Sequence, residues 1–121
     1  MNYDDNNIFA KILRGEIPCK KIYEDEYVLS FYDVNPQKKI HALVVPKGKY
    51  INLDHFNQNA SDKEILGLIK GISIVSEKLG ISYKNGNGYR TLANISENGG
   101  QEVPHLHFHL FGGEKVGKMV S

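Results

Sequence analysis

Apolar residues follow two different rhythms along this chain. Between Ser61 and Gly80, Ile65, Leu68, Ile69, Ile72, Val75 and Leu79 recur at intervals of three and four, the spacing of one helix face. Ser61 with Glu64 three residues on makes a capping box, and Gly80 supplies the stop. A shorter helix is predicted over roughly Ile8 to Arg14. Ile8, Phe9, Ile12 and Leu13 fall at helical spacing, Asp5 and Asn6 can cap it, and Gly15 ends it. Elsewhere the chain reads as extended. KIY (21–23) and YVLSFYDV (27–34) are separated by the turn-prone EDE, and Asn35-Pro36 breaks the second. KIHALVVP (39–46) is rich in β-branched residues. The stretch Lys47 to Ala60 is polar and reads as a loop. YKNGNG is a loop, GYRTLAN (88–94) a strand, SENGG a turn and EVPHLHFHLF (102–111) a final strand. The order α-β-β-β-α-β-β predicts an α+β fold, with a mainly antiparallel sheet and helices on one face.

Length and charge narrow the possibilities. At 121 residues, the expectation is one domain over 1–121 with a single modest core. Net charge is +1 and the lysines and arginines are scattered. That argues against a polymeric nucleic-acid footprint or a polybasic membrane patch. A small nucleotide stays possible, because a pocket needs only a few local donors. Cys19 is the only cysteine, which excludes an intramolecular disulfide and a cysteine-built metal site. Residues 1–10 are polar and acidic, and no apolar run reaches membrane-spanning length. A reducing cytoplasm is the expected compartment.

Three of the five histidines lie in HLHFHLFGG, residues 105–113. In a strand, Leu106, Phe108 and Leu110 would face the core, and His105, His107 and His109 the other side at a spacing of about 7 Å. This pattern allows a half-exposed strand, a zinc site completed by His41, or nucleophilic catalysis by imidazole with neighbours shuttling protons. The preceding Gly99-Gly100 can turn backbone N–H groups toward an anion, which suits a phosphate better than a cation. Asp33 can hold two ribose hydroxyls or simply start the turn before Val-Asn-Pro. Phe9, Ile12, Ile17, Phe31 and Leu43 can wall a flat base or fill the core.

His105-Leu106-His107-Phe108-His109-Leu110-Phe111 resembles the signature of the histidine triad family. IFAKILRGEIP (8–18), SFYDVNPQ (30–37), HALVVPK (41–47), GYRTLAN (88–94) and GGQEVPHLHFHLFGG (99–113) are in the family's style and order. The resemblance is greatest to the purine nucleoside phosphoramidase branch. It implies a five-stranded antiparallel sheet with one short and one long helix, extended across a homodimer. It also implies His107 as the nucleophile on the α-phosphorus and His109 as phosphate contact and proton donor to the leaving amine. His41 and His105 would complete the network. Asn94, Gly100 and Glu102 match phosphate-loop positions, and Asp33 the ribose-binding acid. Ile8, Phe9, Ile12, Ile17, Phe31, Tyr32, Val34 and Leu43 match the nucleoside pocket. The implied substrate carries an AMP or GMP moiety, with lysine-type amines among the leaving groups. No metal and no cofactor is implied. A histidine at 109, where the family's transferase branches carry glutamine, points to hydrolysis.

Overall fold

The computed structural model describes residues 2–120. Five strands, β1 (Lys21–Glu24), β2 (Val28–Tyr32), β3 (Ile40–Pro46), β4 (Arg90–Leu92) and β5 (Phe108–Gly112), form one sheet in the order β1-β2-β3-β5-β4. Every pairing is antiparallel. Alternation along the strands splits the apolar residues into two layers. Val28, Ala42, Val44 and Leu110 join one cluster, and Leu29, Phe31, Leu43 and Val45 the other.

The long helix α3 (Asp62–Lys78) covers the first layer, and both halves of its predicted capping box are made. Its buried stripe is Leu68, Ile72 and Val75. Two glycines let it approach the sheet closely. A Cβ on Gly67 would stand 2.6 Å from the ring of Tyr27, and one on Gly71 would stand 3.0 Å from a Val28 methyl.

Several expectations change on contact with the structure. The helices are not all on one face, because α1 (Ile8–Leu13) lays Phe9 against Leu29, Phe31, Leu43 and Val45 on the opposite side. The cap of α1 is Asn7, not Asp5 or Asn6; its side chain accepts from the Ala10 N–H at 2.9 Å. The segment read as a loop contains a third helix, α2 (Leu53–Asn59), capped by Asn52. Only Phe56 of α2 is buried, so the helix has no apolar stripe to announce it. Ile69 is 56% exposed; it falls at the margin of the α3 stripe rather than on it.

The fourth strand is shorter than predicted, and the last one starts at Phe108 rather than 102. Pro104 has no N–H to give to a ladder. The N–H of Leu106 goes instead to Tyr50 O at 2.8 Å, and that of His105 to Val103 O at 2.9 Å. Residues 105–107 are therefore irregular, yet their alternation survives. Leu106 is buried in the α3-side cluster, while the His107 ring meets Phe9 on the other side.

Candidate active site

The register of β3 against β5 creates the site. Leu43 pairs with His109 and His41 with Phe111, so His41 and His109 share a face on neighbouring strands, offset by one pleat. Their rings meet, with His41 Nε2 2.9 Å from His109 Nδ1. Phe111 stacks parallel to His109 and restrains it from behind.

Burial sets the charge on all four rings. Desolvation lowers the His41 pKa against the opposing pull of Asp33, and it lowers that of His107. Desolvation and the neighbouring His107 push His105 to about 4. Desolvation, His107 and His41 push His109 to about 4 as well. Near pH 7 each ring is neutral, with one N–H and one lone pair.

Fixed backbone partners then assign the protons. The Gln37 N–H can only donate, and it points at His41 Nδ1 from 3.2 Å. His41 thus carries its proton on Nε2 and donates to His109 Nδ1, which puts the His109 proton on Nε2. Carbonyl oxygens can only accept. His105 Nε2 donates to Pro46 O at 2.9 Å, and His107 Nδ1 donates to His105 O at 2.8 Å. The remaining nitrogen of His105 accepts a short hydrogen bond from the Tyr3 hydroxyl. His107 is left with a bare lone pair on Nε2, beside a His109 that presents Nε2–H. The two rings are 5.0 Å apart, centroid to centroid. One ring keeps a free lone pair and its neighbour presents an N–H.

Both rings line a cavity of about 340 Å³. Its deep wall is apolar, built from Phe9, Ile12, Ile17, Phe31 and Leu43, and Ile8, Tyr32 and Val34 stand at the exposed rim. Asn94, Gly100 and Glu102 close the side next to the histidines, and Asp33 lies on the lining too. His41 and His105 are not on the lining; they stand behind His109 and His107 and are 2% and 0% exposed.

Asp33 serves two ends at once. Oδ1 accepts from the Asn35 N–H at 2.8 Å, making the turn, and Oδ2 lies 3.4 Å from His41 Nε2. The glycine pair does not offer two free amides. Gly100, at φ +74°, gives its N–H to Glu97 O at 3.0 Å. Gln101 braces this loop by accepting from the Ser96 N–H and donating to Ile51 O and Val103 O. Gln37 and Gln101 lie inside family-like segments that assign them no role, and Tyr3 lies outside those segments, 102 positions from the ring it contacts.

Asp33, His41 and His109 place three donor atoms within 4.8 Å of one another. The hydrogen bond between the two rings already accounts for this closeness. A cation there would have to displace the proton on His41 Nε2.

The HIT domain model matches residues 14–116. The chain belongs to the HIT family. It is 49% identical over 119 residues to an uncharacterized 13.2 kDa HIT-like protein of Azospirillum brasilense, covering 98% of this chain and 95% of that protein. It is 37% identical over 119 residues to the purine nucleoside phosphoramidase of Escherichia coli K12, covering 97% and 95%. Among solved structures, a HIT family hydrolase from Clostridium thermocellum superposes with a TM-score of 0.84 at 36% identity, covering 98% of this chain and 99% of that one.

Proposed function

We propose that this HIT protein hydrolyses adenosine or guanosine 5'-phosphoramidates through a nucleotidyl-histidine intermediate. The observation that carries the reading is the pinned tautomer of His107, whose Nδ1–H is held by the His105 carbonyl so that Nε2 keeps its lone pair. The purine would lie in the apolar slot under Phe9 and Phe31, with the ribose hydroxyls at Asp33. His107 Nε2 forms a bond to phosphorus. Beside the bound phosphoryl anion His109 is held as imidazolium, and the P–N bond breaks with its electron pair on nitrogen, which takes the Nε2 proton and leaves His109 neutral. Water then attacks the phosphorus, releasing His107 Nε2, and its proton goes to His109 Nε2. His41 holds the His109 proton on the correct nitrogen throughout the resting state. The N–H of His109 faces charge that grows on the phosphoryl group, where fixed donors contribute most.

This chemistry uses imidazole alone, so turnover should survive exhaustive chelation. Among the described residues, no helix is long and apolar enough to cross a membrane. We propose a cytoplasmic location on the separate ground of a single cysteine, which suits a reducing medium. Strand β4 lies at the sheet's edge, and we propose that it pairs with a second copy in a homodimer. The substrate class is tested by comparing kcat/KM on adenosine 5'-phosphoramidates, AMP-lysine and a neutral-amine compound among them, with that on a diadenosine polyphosphate. Preference for the P–N bond supports the reading. Preference for the polyphosphate would make the protein a dinucleoside polyphosphate hydrolase, and no single-turnover cleavage of either would make it a binding module.

A further inference from the structure

We propose that the leaving-group side of this site is built for a leaving group that carries negative charge. The inference rests on the nucleotidyl-transfer reading above, and it concerns what departs rather than what is bound first. A second cavity, of about 480 Å³, opens beside the first and shares Gln37, Asn94 and His109 with it. With the nucleoside in the first cavity and phosphorus at His107, the group beyond His109 must occupy the second.

The two cavities have opposite charge. The first has Asp33 and Glu102 on its lining and no lysine or arginine. Among the described residues, the second has Lys38, Arg90 and Lys118 on its lining and no carboxylate. The whole chain carries 15 lysines and arginines against 14 acids, so this separation is local. None of the three cations takes part in an ion pair among the described residues.

Arg90 fixes the arrangement. Its guanidinium donates to the carbonyls of Gly117 and Lys118, each at 2.9 Å. These acceptors are neutral, so among the described residues no acid pairs with its charge while it holds the tail against the cavity. Glu114, the acid that leads into the tail, is not on this lining and accepts from the Lys39 N–H at 2.7 Å. Phe111, Val116 and Met119 supply apolar wall for an aliphatic stem. Three like charges around a partly enclosed space favour an anion and oppose a cation. A carboxylate-bearing amine fits this chemistry, as does a phosphate-bearing one, whereas the ammonium of a lysine-type amine is disfavoured.

Four adenosine 5'-phosphoramidates with matched chains test the proposal: those of 3-aminopropanoate, 2-aminoethyl phosphate, propylamine and 1,3-diaminopropane. At low salt, kcat/KM for an anionic leaving group should exceed that for propylamine by roughly fivefold, and the diamine should fall below propylamine. The larger of the two anionic ratios tells carboxylate from phosphate. In Lys38→Gln/Lys118→Gln, the anionic-to-neutral ratio should fall toward about 1, and added salt should compress it in the wild type. A wild-type ratio near 1, a preference for the diamine, or a ratio unchanged in the double variant overturns the proposal while leaving phosphoramidate hydrolysis intact. No cleavage even of the propylamine compound would overturn the hydrolase reading itself, and this inference with it.

Discussion

His107 Nδ1 donates to the carbonyl oxygen of His105, two residues behind it, at 2.8 Å. That carbonyl is available because 105–107 lie outside the ladder of β5. The turn that spoils the strand is therefore the turn that fixes the His107 tautomer. Behind it, the His105 ring is held at both nitrogens, by Pro46 O and by the Tyr3 hydroxyl.

Tyr3→Phe removes the second of these bonds and leaves a fully buried nitrogen without a partner. An unpaired buried acceptor costs about 1–3 kcal/mol, which urea unfolding will show. Because His105 also carries the acceptor for His107, kcat should fall without a matching rise in KM. A variant as stable and as active as wild type would show that the hydroxyl does not hold the ring in solution.

Asp33→Asn keeps the oxygen that accepts the Asn35 N–H and so preserves the turn, but it removes the charge. KM for a ribonucleoside substrate should rise by about tenfold, a typical charge-assisted hydrogen-bond loss. For the 2',3'-dideoxy analogue the rise should be much smaller. Equal changes on both substrates would reduce Asp33 to a turn residue.

The depressed histidines give the pH dependence its sign. His105 and His109 are held near 4, below the ordinary 6.5. Above pH 6.5 both are neutral whether the chain is folded or not, and their effect on stability is constant. As pH falls from about 6.5 toward 4, the unfolded chain binds protons that the folded chain does not, so stability drops across that window. The lowered pKa of His107 should place the acid limb of kcat/KM below pH 6.5. A limb above 6.5 would mean that the nucleophile is not a desolvated imidazole.

Much of this site can be read from the chain because its chemistry is periodic. Leu106 and His107 face opposite ways even where the ladder fails, since packing against α3 and Phe9 preserves the alternation. The α2 helix could not be read in the same way. Phe56 is a single knob in a polar segment, and Asn52 caps it as Asn caps many turns. Nor does any local pattern reveal that Tyr3 meets His105 or that Gln37 points its N–H at His41. The first contact joins residues 102 positions apart and exists only in the folded chain, and the second depends on the course of the turn before β3. The Gly100 amide shows the converse: a glycine-rich turn suggests free donors, while the folded loop gives that one to Glu97.

Leu106 separates packing from chemistry. Its side chain is 1% exposed, so Leu106→Ala should cost about 2–5 kcal/mol in denaturant unfolding. Well below its melting midpoint, the variant should keep most of its kcat. A large kcat loss in fully folded protein would place Leu106 among the residues that position the histidines.

The central claim is that His107 Nε2 becomes bonded to phosphorus. Rapid acid-free quenching of wild-type protein with an α-³²P-labelled adenosine phosphoramidate, followed by peptide mapping, tests it directly. The account predicts an acid-labile adenylyl group on His107, formed and lost at rates that support turnover, and its absence in His107→Ala along with a loss of several orders of magnitude in kcat. Label on any other residue, or a His107→Ala protein that retains most of its kcat, would contradict it.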